Sequence, residues 1–300
     1  MSKIVAITGG ESYIAGVLKE ALQARGIANL SLDLVARKDP NTVISNICSD
    51  DFAGTVPEGC DAVVHLAAIS RDKDCKANPQ LAARVNLEGT QRVIDACIQR
   101  GVKQLIFAST EWVYGDVEEG GTQSEDQPLI AEKTQNVYAM SKLTGEQLCR
   151  FAHQDSGLPI TVLRFGIVYG PRKKEERQFS SAVESIFYKI QVEDQIQVGS
   201  LATGRRFIHV KDLAAGIVAA IGRTGFEIFN VSGDRIITLG EVIRTSCEVL
   251  GKEVEITETS PAARSVRNPD NGRAKQILGW KPEISLSEGL RSLQDGTYES

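Results

Sequence analysis

The chain has 300 residues, 42% of them hydrophobic and 24% charged, with a formal net charge of -5. That is a globular composition, long enough for one large domain or two smaller ones. The acidic balance argues against nucleic acid as a partner, because phosphate binding calls for a basic patch.

No apolar stretch approaches the ~20 residues that span a bilayer. The chain opens directly into Lys3-Ile4-Val5-Ala6-Ile7, without a signal-peptide core and cleavage site. The six cysteines are scattered with no C-x-x-C pair, and the three histidines do not cluster with them. Reduced thiols are therefore expected and metal ligation is not. These features place the protein in the cytoplasm, with neither membrane nor nucleic acid as partner.

In chain order, Lys3–Ile7 reads as a short buried strand, Ser12–Arg25 as a helix ending at Gly26, and Asn29–Asp33 as a second strand. Ala62–Leu66 is a third strand, Gln80–Arg100 a long amphipathic helix closed by Gly101, and Gln104–Ala108 another strand. Asn136–His153 is a second long helix, followed by the strand Ile160–Arg164. Short apolar strands alternating with helices predict an α/β fold, a doubly wound parallel sheet covered on both faces. After Gly170 the pattern changes. Helical stretches at Phe179–Lys189, Lys211–Arg223, Thr238–Leu250 and Ser287–Leu293 alternate with short strands and polar turns. The expected division is a nucleotide-binding domain over 1–170 and a smaller α/β substrate lobe over 171–300, with some segments crossing between them. The cleft between them is the expected ligand site. The basic run Pro171-Arg172-Lys173-Lys174, followed at once by Glu175 and Glu176, reads as a solvated loop.

Thr8-Gly9-Gly10-Glu11-Ser12-Tyr13-Ile14-Ala15 lies between the first strand and the first helix. A glycine-rich turn there lets backbone approach a pyrophosphate, which the helix N-terminus attracts. The spacing is Gly9-x-x-Ser12-x-x-Ala15, so a side chain occupies the second position, where backbone should meet phosphate. Asp33 ends the second strand and is placed to accept hydrogen bonds from the adenosine ribose, which favours NAD over NADP. Two alternatives stand beside it: an ordinary turn aspartate, or Arg37 and Lys38 holding a 2′-phosphate.

Tyr138 and Lys142 are four residues apart and share one helix face. A neighbouring ammonium, aided by a positive nicotinamide, stabilises phenolate, so Tyr138 can take a proton from an alcohol as hydride leaves its carbon; the alternative is an ordinary helix surface pair. The strand Gln104–Ala108 runs into Ser109, Thr110 and Glu111. The carboxyl end of a parallel strand is where ligands meet the sheet. Thr110 is placed to bond the reacting oxygen; the alternative for Ser109 and Thr110 is local turn bonding.

At this point the chain resembles the extended, epimerase/dehydratase branch of the short-chain dehydrogenases. The resemblance rests on the glycine turn, Tyr138 with Lys142, Asp61-Ala62-Val63-Val64-His65-Leu66-Ala67-Ala68, Asn86-Leu87-Glu88-Gly89-Thr90, Leu163-Arg164, Val168-Tyr169-Gly170-Pro171, Arg206-Phe207-Ile208-His209-Val210-Lys211-Asp212 and Leu278-Gly279-Trp280-Lys281-Pro282. It implies a Rossmann-type domain with a small C-terminal substrate lobe, a nucleotide-sugar substrate, and homodimers formed through the two long helices. It places the cofactor against Gly9, Gly10, Ser12, Tyr13, Ile14, Asp33, Leu66, Ala67, Ala68, Ser109, Tyr138, Lys142, Phe165 and Ile167. Substrate falls against Thr110, Glu111, Arg205 and Arg264, with Arg267 the alternative to Arg264. His65, His209 and Trp280 read as structural.

Three departures from the family pattern carry information. Ser12 stands where glycine is usual. Ile167 stands where nucleotide-sugar epimerases carry a diphosphate-binding asparagine. Trp112 replaces the second carboxylate of the sugar dehydratases, leaving Glu111 alone, which disfavours elimination of water. The resemblance therefore implies an NAD-dependent nucleotide-sugar epimerase that works by transient oxidation. The alternatives are a keto-sugar reductase or sugar dehydrogenase, a dehydratase, and a cofactor-binding scaffold without chemistry.

Overall fold

The computed structural model describes residues 3–37, 39–117, 121–134, 136–172 and 174–295. Strands β1 (Ile4–Thr8), β2 (Ala28–Asp33), β3 (Val43–Ile44), β4 (Ala62–His65), β5 (Leu105–Thr110), β6 (Ile160–Phe165) and β7 (Phe226–Val231) form one sheet among the described residues. Its order is β7-β6-β5-β4-β1-β2-β3, and every pairing is parallel. Side chains alternate across it: Val5 and Ile7 enter one core while Ala6 enters another, and Val64 and Val63 divide the same way. Strands apolar at nearly every position need cover on both faces, which is why the expected doubly wound sheet forms.

Helices α1 (Tyr13–Gln23), α2 (Gly89–Gln99), α3 (Val137–Ser156), α4 (Ala182–Val192), α5 (Val210–Ala219), α6 (Leu239–Leu250) and α7 (Leu286–Asp295) supply that cover and a further core. Leu18 and Leu22 of α1 pack with Leu213 and Ile217 of α5 on one face. Val93, Ile94 and Cys97 of α2 pack with Cys149 of α3 on the other. Helices α4, α6 and α7 build a third core around Phe187, Val242 and Leu290. No helix among the described residues is long and apolar enough to cross a membrane.

Two features differ from the sequence reading. Strand β7 was not anticipated. With α5 it returns the chain from beyond residue 170 to the first two cores, and β7 forms the sheet edge beside β6. The long helix expected over Gln80–Arg100 is interrupted. Pro79–Ala83 is α-helical, Arg84–Glu88 is a wider π-type turn, and α2 follows. The widened turn carries the buried Asn86. Its Oδ1 accepts the Ile69 N–H (2.8 Å), and its Nδ2 donates to the Ile69 carbonyl and to Ser141 Oγ (both 3.0 Å). Such turns recur where a helix must re-aim one side chain. Here Asn86 ties the loop after β4 to α3, one residue from Lys142.

A buried ion pair clamps α3 to the sheet. Arg164 of β6 grips Glu146 of α3 with two bonds, Nη2 to Oε2 (2.6 Å) and Nε to Oε1 (3.0 Å). Ser109 Oγ donates to the same Oε1 (2.5 Å), and Arg164 Nη1 donates to the Tyr114 hydroxyl (2.8 Å). Removing one partner of such a pair strands a charge in a dry site. Arg164→Met should therefore cost about 3–5 kcal/mol, read from urea unfolding. The double variant Arg164→Met/Glu146→Gln should recover part of that loss. Equal losses in the single and double variants would show that packing, not charge, explains the defect.

Candidate active site

The glycine turn closes the end of β1 against β4. Gly9 has φ +69°, and a Cβ built there would lie 2.8 Å from the Ala67 backbone nitrogen. Only glycine meets both demands. Ser12 is the N-cap of α1, with φ -71°; its N–H donates to the Gly9 carbonyl (3.0 Å) and its Oγ accepts the Ala15 N–H (3.4 Å). The hydroxyl is thus turned onto its own helix as a cap, and an ordinary φ explains why serine is tolerated at that position. Tyr13 opens α1, and Ile14 packs into the first core. Leu66, Ala67 and Ala68 follow β4 and are partly exposed beside the turn. The first turn of α1, whose amides have no intrahelical partners, therefore sits over a close backbone approach. This geometry fits a dinucleotide pyrophosphate.

Below the turn, Thr8 Oγ1 lies 2.7 Å from His65 Nδ1, and His65 Nε2 lies 3.1 Å from Thr90 Oγ1. Burial holds the His65 imidazole down to about 3, so it is neutral and serves the strand. His209 Nδ1 accepts the Lys211 N–H at the start of α5, and Trp280 Nε1 donates to the Asp212 carbonyl; both are structural. Asp33 Oδ2 accepts the Glu11 N–H at 3.0 Å, which puts this carboxylate beside the phosphate turn. Arg37 is exposed, and Lys38, like Lys173 of the basic run, lies outside the described residues.

Asn136 Oδ1 accepts the Ala139 N–H (2.8 Å) and so starts α3, which puts Tyr138 in its first turn and Lys142 one turn further. Lys142 is buried, its Nζ 4.8 Å from the Phe107 ring centre and 5.9 Å from that of Tyr138. Burial lowers the ammonium to about 8 and pushes the Tyr138 phenol above its usual range. Within the protein alone, desolvation is the dominant influence on the phenol. Thr110 Oγ1 accepts the Trp112 N–H (3.3 Å) at the end of β5. The Ser109 hydroxyl donates to Glu146. Phe165 is buried at the end of β6, and Ile167 packs against the third core.

Glu111 is fully buried and faces two arginines, Arg267 Nε at 3.0 Å and Arg205 Nε at 3.7 Å. Burial raises its carboxyl, and the two guanidinium groups pull it back. Arg267 stacks on Trp112, 3.7 Å from the ring centre. Arg205 Nη1 donates to the Gly204 and Ser265 carbonyls and its Nη2 to Ser265 Oγ, each at 2.7 Å. Arg264 is exposed, so the structure brings Arg267 to Arg205, not Arg264. Sequence reasoning also missed Arg172. Expected in a solvated loop, it lies 3.6 Å above the Tyr13 ring and donates to the buried Glu184 (2.7 Å), joining the phosphate turn to α4. An open cavity of about 660 Å³ lies elsewhere, along β7, with Arg150, Phe226 and Arg273 in its wall and neither Tyr138 nor Lys142.

A glycine turn at the end of β1, a carboxylate ending β2 and a Tyr–Lys pair on α3 lie among the elements at the carboxyl edge of the parallel sheet. Residues 5–232 match the model of the NAD dependent epimerase/dehydratase family, and the chain belongs to that family. It is 30% identical over 263 residues to an uncharacterized UDP-glucose epimerase, YtcB, of Bacillus subtilis, covering 86% of this chain and 80% of that one. It is also 30% identical over 243 residues to a dTDP-glucose 4,6-dehydratase of Streptomyces griseus, covering 78% and 71%. Among solved structures, the Thermus thermophilus UDP-glucose 4-epimerase in complex with NAD superposes with a TM-score of 0.83 at 26% identity, covering 98% of both chains. The protein is an enzyme of the extended short-chain dehydrogenase type, and its cofactor is NAD.

The lysine gives a test with a definite sign. Its folded value is held at about 8, against an ordinary value of 10.5. Charging it therefore opposes folding fully below about pH 8, and that opposition fades as pH rises toward 10.5. Lys142→Met should stabilise the cofactor-free protein at pH 7 by on the order of 2 kcal/mol, and by clearly less at pH 10. Unfolding at the two pH values checks it, and an equal gain at both would mean that packing, not charge, is responsible.

Proposed function

We propose that this enzyme epimerises the sugar of a nucleotide-sugar by transient oxidation of a ring hydroxyl. One observation carries the reading. Tyr138 and Lys142 share a face of α3, while Glu111, which directly follows β5, is locked between Arg205 and Arg267. Removal of water needs a carboxyl group free to move a proton; epimerisation does not. Similarity to both an epimerase and a dehydratase leaves the reaction to be decided by such residues.

In this reading Tyr138 takes the hydroxyl proton, Thr110 holds the reacting oxygen, and Lys142 supports the phenolate with its charge. Bound NAD supplies the hydride acceptor and a positive ring near the phenol. Gly9, Gly10, Ser12, Tyr13 and Ile14 receive the pyrophosphate. Asp33 takes the adenosine ribose, and Leu66–Ala68, Phe165 and Ile167 line the cofactor. Arg205 and Arg267 offer planar forks to the sugar-nucleotide diphosphate. The six cysteines are free thiols, which suits a reducing cytoplasm. We also assign a homodimer built on α2 and α3. Ile98 and Phe151, 44% and 59% exposed, flank a shallow groove between those helices.

With UDP- and dTDP-sugars offered as a panel, Tyr138→Phe should lower single-turnover NADH formation by about 10²–10⁴-fold, and Thr110→Ala by less. Glu111→Gln should weaken the fold yet keep epimerisation per folded molecule. A Tyr138→Phe enzyme with parental rates rejects the proton role. A Glu111→Gln enzyme that forms NADH but cannot finish turnover turns the reading to dehydration. Separately, Phe151→Asp should convert the dimer to monomer in analytical ultracentrifugation, and an unchanged mass would remove this helix pair from the interface.

A further inference from the structure

One side chain of the phosphate turn holds the loop that follows β2. The Glu11 carboxylate accepts the backbone N–H of Arg37 at Oε2 (3.3 Å) and that of Asp39 at Oε1 (3.3 Å). Oε1 also accepts the Thr42 hydroxyl (2.5 Å). The N–H of Glu11 donates to Asp33 Oδ2 (3.0 Å). The loop between β2 and β3 is thus hung on Glu11, with Asp33 fastened beside it. Lys19 of α1 steadies the far end of this ring through Asp39 (3.2 Å).

In a dinucleotide-binding sheet the carboxylate that ends the second strand meets the adenosine ribose. Glu11 brings a second negative charge to that place, and it orders the chain that surrounds it. These two effects are chemically separable. Ordering needs hydrogen-bond acceptors, which an amide oxygen partly supplies. Repulsion of a 2′-phosphate needs charge, which an amide lacks. Arg37 is the cation most easily credited with welcoming such a phosphate. Its backbone N–H is committed to Glu11 and its side chain is exposed.

We propose that Glu11 determines specificity at the adenosine end of the cofactor: its hydrogen bonds shape the 37–42 loop around the ribose, and its charge excludes NADP. The proposal rests on NAD as the cofactor and concerns how this chain selects it.

The test is calorimetric titration of NAD and NADP into the full-length protein freed of bound nucleotide, with Glu11→Gln and Glu11→Ala alongside. Removing one unit charge near a phosphate should tighten NADP about tenfold in Glu11→Gln, with NAD within about threefold of the parent because the amide oxygen retains the Asp39 and Thr42 bonds. Glu11→Ala should weaken NAD about tenfold and speed tryptic cleavage after Arg37, because the loop loses its anchor. An unchanged NADP-to-NAD ratio in Glu11→Gln overturns the charge role. Unchanged NAD affinity and cleavage rate in Glu11→Ala overturn the positioning role. A parallel fall of both nucleotides in both variants marks simple damage to the turn and overturns the specificity claim. A parent protein that binds neither nucleotide removes the cofactor assignment itself, an outcome visible before any variant is made.

Discussion

Parallel strands bring all their carboxyl ends to one edge, and the candidate site is that edge. Gly9, Asp33, Leu66, Thr110 and Phe165 are far apart in the chain and meet because each ends a strand or follows one. Their meeting depends on register. Thr8 lies opposite Leu32 and His65, and Thr110 lies opposite Phe165. Apolar strands have little to stop them sliding, and a slip of one residue turns every side chain to the wrong face. Buried polar pins supply the restraint. Thr8 meets His65 across β1 and β4, Gln104 donates to Thr161 and to the Ala220 carbonyl, and Ser109 and Arg164 both donate to Glu146. A misaligned strand leaves several of these groups unpaired in a dry interior, where each costs more than a hydrophobic contact returns.

The same dryness governs the chemical groups. Burial pushes the Tyr138 phenol above its usual range and lowers the Lys142 ammonium. Charge brought by ligands changes that balance, since a cationic ring favours phenolate. Elsewhere in the same interior, Glu111 is held between Arg205 and Arg267. The internal carboxylate holds both guanidinium groups in place.

How much of this was legible in the sequence varies with distance along the chain. The strands β1, β2, β4, β5 and β6 and the helices that cover them are written in local periodicity, and Tyr138 with Lys142 in a four-residue spacing. Strand β7 was missed because Phe-Glu-Ile-Phe-Asn-Val places Glu and Asn inside a strand, and only the tertiary structure explains them. Asn230 is satisfied by Tyr114 and by the carbonyls of Gln123 and Asp270. The choice between Arg264 and Arg267 turned on which one faces Glu111, more than 150 positions earlier in the chain. Arg172 looked solvated because its neighbours are charged, while its partners, Tyr13 and Glu184, lie on other elements. Composition reports the average environment of a segment, and these residues are exceptions within theirs.

The return of β7 to the sheet gives synthesis a direction. When residue 170 leaves the ribosome, β6 is complete and carries an open edge, with every backbone donor and acceptor on that side awaiting a strand. The chain must extend through α4 and α5 before Phe226–Val231 arrives to close it. Exposed edges invite pairing with other chains, and closure at this sequence separation is slow compared with a local hairpin. The sheet is therefore sealed only after α4 and α5 have been made, which ties the order of translation to the order of assembly.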